Sequence, residues 1–348
     1  MENRWLVLGV AAALSAAVPG SANMAAAGEV TPLFDDSSII EVTLTGPVRS
    51  IARRAQRSTK PHEARLDAAG ESHAITLAAR GKSRRERKKC SFPPLRIAFP
   101  EKPGEQSLFY RQGRIKLVTH CRNVDASEQT ILREYAAYRL YNRITPESLR
   151  VRLARIRYVD DGEVVATRLG FFIEDGDDAA RRLGMKEINT GDIPVASLDQ
   201  GDAARYALFQ YMIGNTDWSM VLGPEKSDCC HNSRLFGAGK SARSALTPVP
   251  YDFDAAGLVD AIYAEPNERL KTRSVKTRVY RGFCAFNALL PAEADRLREL
   301  RPELEAEIAA TPYANAATKQ EMISYLSGFY KTIDSPETFK ARLTGRCR

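Results

Sequence analysis

GRIKLVTHCRNVDASEQTILREYAAYRLYNRI (113–144) decides the fold, because its hydrophobic period changes part-way along. Gly113 to His120 alternates apolar and polar residues and reads as a strand with Lys116 at its centre. Asp125-Ala-Ser-Glu128 then has the form of a capping box opening a long amphipathic helix, with Ile131, Leu132, Tyr135, Tyr138 and Ile144 as core contacts. A mid-strand lysine ordinarily points to water. Glu134, however, lies about two helical turns in, where strand and helix pack together and a lysine on one can meet a glutamate on the other. The local alternative is a surface Glu134 paired with Arg133 or Tyr138.

Upstream the chain reads as β structure from Glu29 to Phe99: SIIEVTLTG (38–46), HAITLAAR (73–80) and CSFPPLRIAF (90–99), with a polar, loose loop expected over 53–70. Between the last two strands runs RGKSRRERKK (80–89), either a solvated basic face or a phosphate-contacting loop. Downstream, Pro146 ends the helix, and LRVRLARIRYVD (149–160) and EVVATRLGFFIE (163–174) form a hairpin about Asp160-Asp161-Gly162. DGDDAARRLG (175–184) opens a short helix with acidic residues in its first turn. Strands, basic loop, lysine strand, glutamate helix, two strands and a connector into helical territory make the order of a kinase N-lobe. The expected fold class is therefore α+β: a bilobal protein-kinase-like fold, with a β-rich N-lobe over 28–174 and a mostly helical C-lobe over 175–348.

In the second half, the helix GDAARYALFQYMIG (201–214) delivers Asn215-Thr216-Asp217, and a β pair presents Asn232 on one strand and Asp252 at the end of the next. SVKTRVYRGFCAF (274–286), 291–311, 315–333 and 336–345 read as helical scaffold. A lone loop Asp usually caps or turns, but Asn215, Asp217, Asn232, Asp252 and Asp254 bracket two apolar strands. Such an oxygen set suits Mg²⁺ or Mn²⁺; the scarcity of His and lack of Cys-x-x-Cys argue against zinc.

Residues 1–27 read as an export signal: an apolar run from Trp5 to Val18, then small residues, too short for a comfortable membrane span. A secreted or periplasmic product with no stable membrane anchor after cleavage is expected. The formal charge of +8 is concentrated in 80–89, without interleaved aromatics, so no nucleic-acid partner is expected. Six cysteines favour disulfides in an oxidising compartment and allow fifteen pairings. Adjacent Cys229 and Cys230 point to separate distant partners; the expected arrangement gives Cys90 and Cys121 to this doublet and joins Cys284 to Cys347.

These pieces, in their order, resemble the atypical kinases of the spore-coat CotH type over roughly 75–264. ARGKSRRERKKCSF is similar to that family's basic stretch, Ile115-Lys116-Leu117 with LREYAAYRLYNRITPESLRVRLARI to its lysine strand, Arg-Glu helix and next strand. GNTDW, HNSRL and PVPYDFDAAGLV are similar to its Asn-x-Asp, Asn and Asp-Phe-Asp segments. The resemblance implies transfer of the γ-phosphate of ATP to a hydroxyl, that of a protein Ser or Thr. It implies Lys116 on the α/β phosphates, held by Glu134, and Asp217 as general base. Asn232, Asp252 and Asp254 would hold Mg²⁺ or Mn²⁺. Arg80, Gly81 and Ser83 would cover the phosphates, and the strand end at Phe171 to Glu174 would meet adenine. Gly-x-Gly-x-x-Gly, His-Arg-Asp and Asp-Phe-Gly are missing, and Gly223, Pro224, Cys229 and Cys230 lengthen the Asp217–Asn232 interval. A catalytically inactive kinase-like binding protein, and a nucleotidyl transferase or phosphoester hydrolase on the same carboxylates, are the alternative readings.

Overall fold

Seven strands curl into a closed barrel in the computed structural model, which describes Met1, residues 28–224 and residues 228–348. The expected export signal lies, Met1 apart, outside the described residues. After a short helix α1 (Pro32–Asp35) come β1 (Ile40–Thr45), α2 (Val48–Arg54), β2 (His62–Ala68), β3 (Glu71–Ala79), β4 (Leu95–Ala98) and β5 (Arg114–Val118). The helix α3 (Asp125–Ile144) leads into β6 (Val151–Asp160) and β7 (Glu163–Ile173). Around the barrel the order is β1-β2-β3-β4-β5-β7-β6, antiparallel except where β1 closes on β6. Alternation drives this closure: Leu44, Leu66, Leu77, Ile97, Leu117, Ile156 and Phe172, on the inward face of their strands, are fully buried in the barrel interior. Among the described residues, closure also leaves this barrel no free edge for another chain to pair with.

The β6–β7 hairpin turns as its sequence demands, with Asp161 and Gly162 both at positive φ (53° and 79°). The loose loop expected over 53–70 is corrected. Its second half is β2, where Ala64, Leu66 and Ala68 supply the period-2 apolar face that the polar residues between them mask. The capping box is corrected too: Val124 is the N-cap and makes no side-chain bond. Glu128 instead accepts from the Leu169 N–H at 2.7 Å and, with Asp125, from Arg168, tying the helix to β7.

The remainder runs α4 (Gly176–Arg182), β8 (Lys186–Glu187), α5 (Gln200–Ile213), β9 (Ser233–Gly237), β10 (Thr247–Pro250), α6 (Leu290–Glu299), α7 (Arg301–Ala309), α8 (Ala316–Ile333) and α9 (Pro336–Arg342). β8, β9 and β10 form a small sheet, while α5 packs against α6, β10 and α8 in a second, larger core that also takes one face of α3. The helix expected over 274–286 does not form up to residue 283; Arg278 donates to the carbonyls of Met212 and Tyr325, so main-chain groups elsewhere fix this segment in place of its own helical bonds. The helix expected over 291–311 is broken at Leu300, before Pro302, which has no N–H for a continuing helix.

Three disulfides are present. Cys284–Cys347 is as expected; Cys90 pairs with Cys121, and Cys229 with its neighbour Cys230, which corrects the expected links from the doublet. Cys90 and Cys121 meet because they end neighbouring stretches beside β4 and β5, where the Phe92 N–H donates to the Cys121 carbonyl. Among the described residues, no helix is long and apolar enough to cross a membrane.

Candidate active site

α5 is built to end where it does. Asp199 caps its start by accepting from the Asp202 N–H at 2.9 Å, and Gly214 closes it at φ 67°, a conformation that favours glycine. A Cβ at Gly214 would also lie 2.0 Å from the Tyr325 hydroxyl. The next residues fold on themselves: the Asn215 side chain accepts from the Asp217 N–H (3.0 Å) and the buried Trp218 indole donates to the Asn215 carbonyl (2.9 Å).

Asp217 emerges half-exposed with a fixed carboxylate. His231 Nε2 lies 2.7 Å from its Oδ1, and the Asn232 amide donates to its Oδ2 (3.1 Å) and its carbonyl (2.7 Å). Burial pushes this carboxyl up, but the bond and charge of His231, the charge of Arg281 and the Asn232 bond outweigh it and hold it below the usual range. The long interval between Asp217 and Asn232 therefore still returns Asn232 to Asp217. Asn232 sits just before β9 at φ 50°, and its carbonyl accepts from the Tyr251 N–H.

Asp252 and Asp254 follow β10 on either side of fully buried Phe253, whose ring packs on Tyr138 of α3 at 4.5 Å and Phe209 of α5 at 5.6 Å. Asp252 adopts φ 63° and donates its N–H to the Tyr138 hydroxyl (2.8 Å). This anchored, left-handed backbone brings both carboxylates toward Glu134, which is 1% exposed.

Arg84, from the 3-10 turn Ser83–Arg85 inside the basic run, lies among the three. Its guanidinium is 3.1 Å from Asp254, 3.6 Å from Asp252 and 3.7 Å from Glu134. Burial pushes Glu134 up to about 8, Arg84 opposing and Asp254 and Asp252 adding to the rise. Burial, then Asp252, raises Asp254 to about 6, again against Arg84. The expected contact between Lys116 and Glu134 is corrected: the cation beside Glu134 is Arg84. Its longer, forked side chain reaches three carboxylates at once, as one ammonium does less readily.

Lys116 lies instead over the Tyr251 ring, 4.9 Å from its centroid, with Arg234 on the same ring at 5.2 Å. Its Nζ is buried with no hydrogen-bond partner. Burial, then the charges of Arg234 and Arg80, lower its pKa to about 7. Arg80 is likewise lowered by burial, against Asp252, and its Nε lacks a partner. Gly81 turns the chain at φ 82° while its carbonyl accepts from Arg85 (2.7 Å); Arg84 is turned inward and Ser83 stays exposed. Glu174 does not join this group. Its carboxylate is bound by Arg182 at 3.0 and 3.1 Å and by the Arg150 N–H, and its own N–H donates to the Arg150 carbonyl.

A cleft of about 1080 Å³ opens beside these residues, its walls including Ser83, Asp217, His231, Asp254, Arg281 and Arg348. A separate acidic group, Asp175, Asp177 and Glu187, brings oxygens within 4.8 Å of one another, but Asp175 caps α4 and Glu187 is paired with Arg234. The sequence reading missed His231, Tyr251 and Arg281. His231 and Tyr251 carried a usable signal, a polar aromatic directly before Asn232 and Asp252 respectively; nothing local marks Arg281.

Comparison with known proteins assigns no family: no family model matches the chain, and no curated protein matches it.

Proposed function

We propose that this chain is an exported, metal-dependent phosphotransferase with a kinase-like, two-lobed arrangement of the CotH type, moving the γ-phosphate of ATP to a protein hydroxyl. One observation carries the reading. Lys116 Nζ, Arg80 Nε and Glu134 Oε1 are buried without hydrogen-bond partners, and Arg84 meets Glu134 only as an ion pair at 3.7 Å, beside Asp252 and Asp254. Each such orphan costs about 1–3 kcal/mol, a cost that a phosphate-bearing ligand with its cation would relieve.

The residues fit that ligand. Lys116, Arg80 and Arg84 would hold phosphate oxygens, with Gly81 and Ser83 shaping the turn beside them. Asp252, Asp254 and Asn232 would hold a divalent cation, which would supply charge neutralisation for the phosphates. Asp217 takes the proton of the attacking hydroxyl as the new P–O bond forms and the bond to the β-phosphate oxygen breaks. His231 and Asn232 keep its carboxylate oriented for that task. The disulfides and the export signal read from the sequence support an extracytoplasmic location.

One observation favours a second reading, a kinase-like binding module: Arg84 already neutralises the carboxylates that would hold the cation. Labelled ATP separates the readings. With Mn²⁺ and the oxidised full chain, label from γ-labelled ATP should pass to protein, and Asp217→Asn should lower the rate at least about a hundredfold, as loss of a general base does. Transfer of α-label instead would make the chain a nucleotidyl transferase, and no transfer of either label would leave the binding module.

A further inference from the structure

We infer that the cleft beside Asp217 binds an acidic polypeptide segment, gripped by the guanidinium groups of Arg281 and Arg348; that this segment is the phosphate acceptor rests on the phosphotransfer reading above.

Arg281 brackets the Asp217 turn, donating through Nη1 to the main-chain carbonyls of Thr216 and Trp218. Arg348 donates through Nε to the Arg281 carbonyl (2.8 Å). Both guanidiniums lie against the Trp218 indole, at 5.0 and 5.6 Å from its ring. Every side-chain hydrogen bond that these two arginines make goes to a carbonyl, and among the described residues no carboxylate forms an ion pair with either. Two like charges thus sit side by side on the cleft wall; burial and then Arg348 lower Arg281 to about 10, with Tyr206 and Asp217 only partly opposing. An anion between them would relieve both the repulsion and the desolvation, and a carboxylate matches the guanidinium fork.

The position is fixed rather than fortuitous. Cys284–Cys347 staples the segment that carries Arg348, and main-chain bonds run from the Cys284 N–H to the Arg348 carbonyl and from the Arg348 N–H to the Gly282 carbonyl, each 3.0 Å. Arg269 and Arg346 extend the basic wall. The occupant is nevertheless no uniform polyanion. Glu265 and Glu268 share the cleft, Lys89 is already paired with Glu265 (3.4 Å), and Leu222 and Val279 add apolar surface. A nucleic acid, charged at every residue, would meet these acids as well. A peptide can set one acidic side chain on Arg281 and Arg348 and a hydroxyl at Asp217.

The test uses the oxidised full chain and fluorescent peptides with a central serine flanked by glutamates or, in the same positions, by lysines. Anisotropy should give the acidic peptide a Kd about tenfold lower than its basic counterpart, with the difference shrinking at high salt. Arg348→Gln, an exposed position, should remove most of that preference; Arg281→Gln should do the same if it folds. Equal or tighter binding of the basic peptide, an unchanged preference in Arg348→Gln, or tighter binding of an oligothymidylate than of the acidic peptide would overturn the assignment. Adding γ-labelled ATP separates the two claims. An acidic peptide that binds but takes no label supports the cleft assignment and sinks the phosphotransfer reading, whereas labelling without acidic preference does the reverse.

Discussion

Lys116→Met should make the ligand-free protein more stable while abolishing its response to nucleotide. The wild-type ammonium is buried over Tyr251 without a hydrogen bond, and its pKa is down to about 7 from 10.5. Keeping such a group charged at neutral pH costs on the order of 4 kcal/mol, and replacing buried charge with an apolar side chain of similar volume typically recovers about 1–4 kcal/mol. For a chain of this size each kcal/mol is worth roughly 2–4 °C, so the melting temperature should rise by several degrees. The pH dependence carries a definite sign. Between pH 7 and 10.5 the unfolded lysine binds its proton and the folded one does not, so this group makes wild type more stable as pH rises through that window. The difference between variant and wild type should therefore narrow from pH 7 upward, and wild-type affinity for phosphate should weaken over the same range. Melting curves at several pH values check this; a destabilised Lys116→Met would mean that the lysine is structural.

Arg84→Gln should have the opposite effect, a loss of about 3–5 kcal/mol at neutral pH, because removing one partner of a buried ionic cluster leaves the others uncompensated. Here the others are Glu134, Asp252 and Asp254, all within 3.7 Å of the guanidinium. The folded forms of Glu134 and Asp254 bind protons more tightly than their unfolded forms, at about 8 and about 6. Stability from these two groups falls as pH rises from roughly 4 to 8, more steeply once Arg84 is gone. The variant should thus be rescued by acid, and more than wild type by millimolar Mn²⁺, when followed by thermal unfolding from pH 5 to 8. A loss independent of both pH and Mn²⁺ would remove Arg84 from the role of internal counter-ion.

The local order of elements was legible because periodicity and turn chemistry agree: β5 and α3 around Lys116 and Glu134, and the Asp161-Gly162 hairpin. Barrel closure was not, since pairing of β1 with β6 joins residues more than a hundred positions apart and leaves no local mark. The oxygen-bearing side of the candidate site was legible at Asp217, Asn232, Asp252 and Asp254, which flank the ends of regular segments as turn-forming residues do. The cation beside Glu134 was not. Arg84 is one of several adjacent basic residues, and only the turn at Gly81 selects it for Glu134; Lys116 was expected there because both lie on neighbouring elements. Arg278 shows the same limit, for its side chain takes carbonyls from two other elements and holds a segment that periodicity reads as helix.

The most direct measurement of the central claim, that Lys116, Arg80 and the carboxylates form one metal-dependent nucleotide site, is thermal unfolding of the oxidised full chain with ATP and Mn²⁺, separately and together. A ligand at about a hundred times its Kd stabilises by roughly 2.7 kcal/mol, a shift of several degrees. The account predicts that shift only with ATP and Mn²⁺ together, and its loss in Asp252→Ala, a variant whose unliganded fold is kept. No shift at millimolar ligand, or an equal shift in Asp252→Ala, would contradict it.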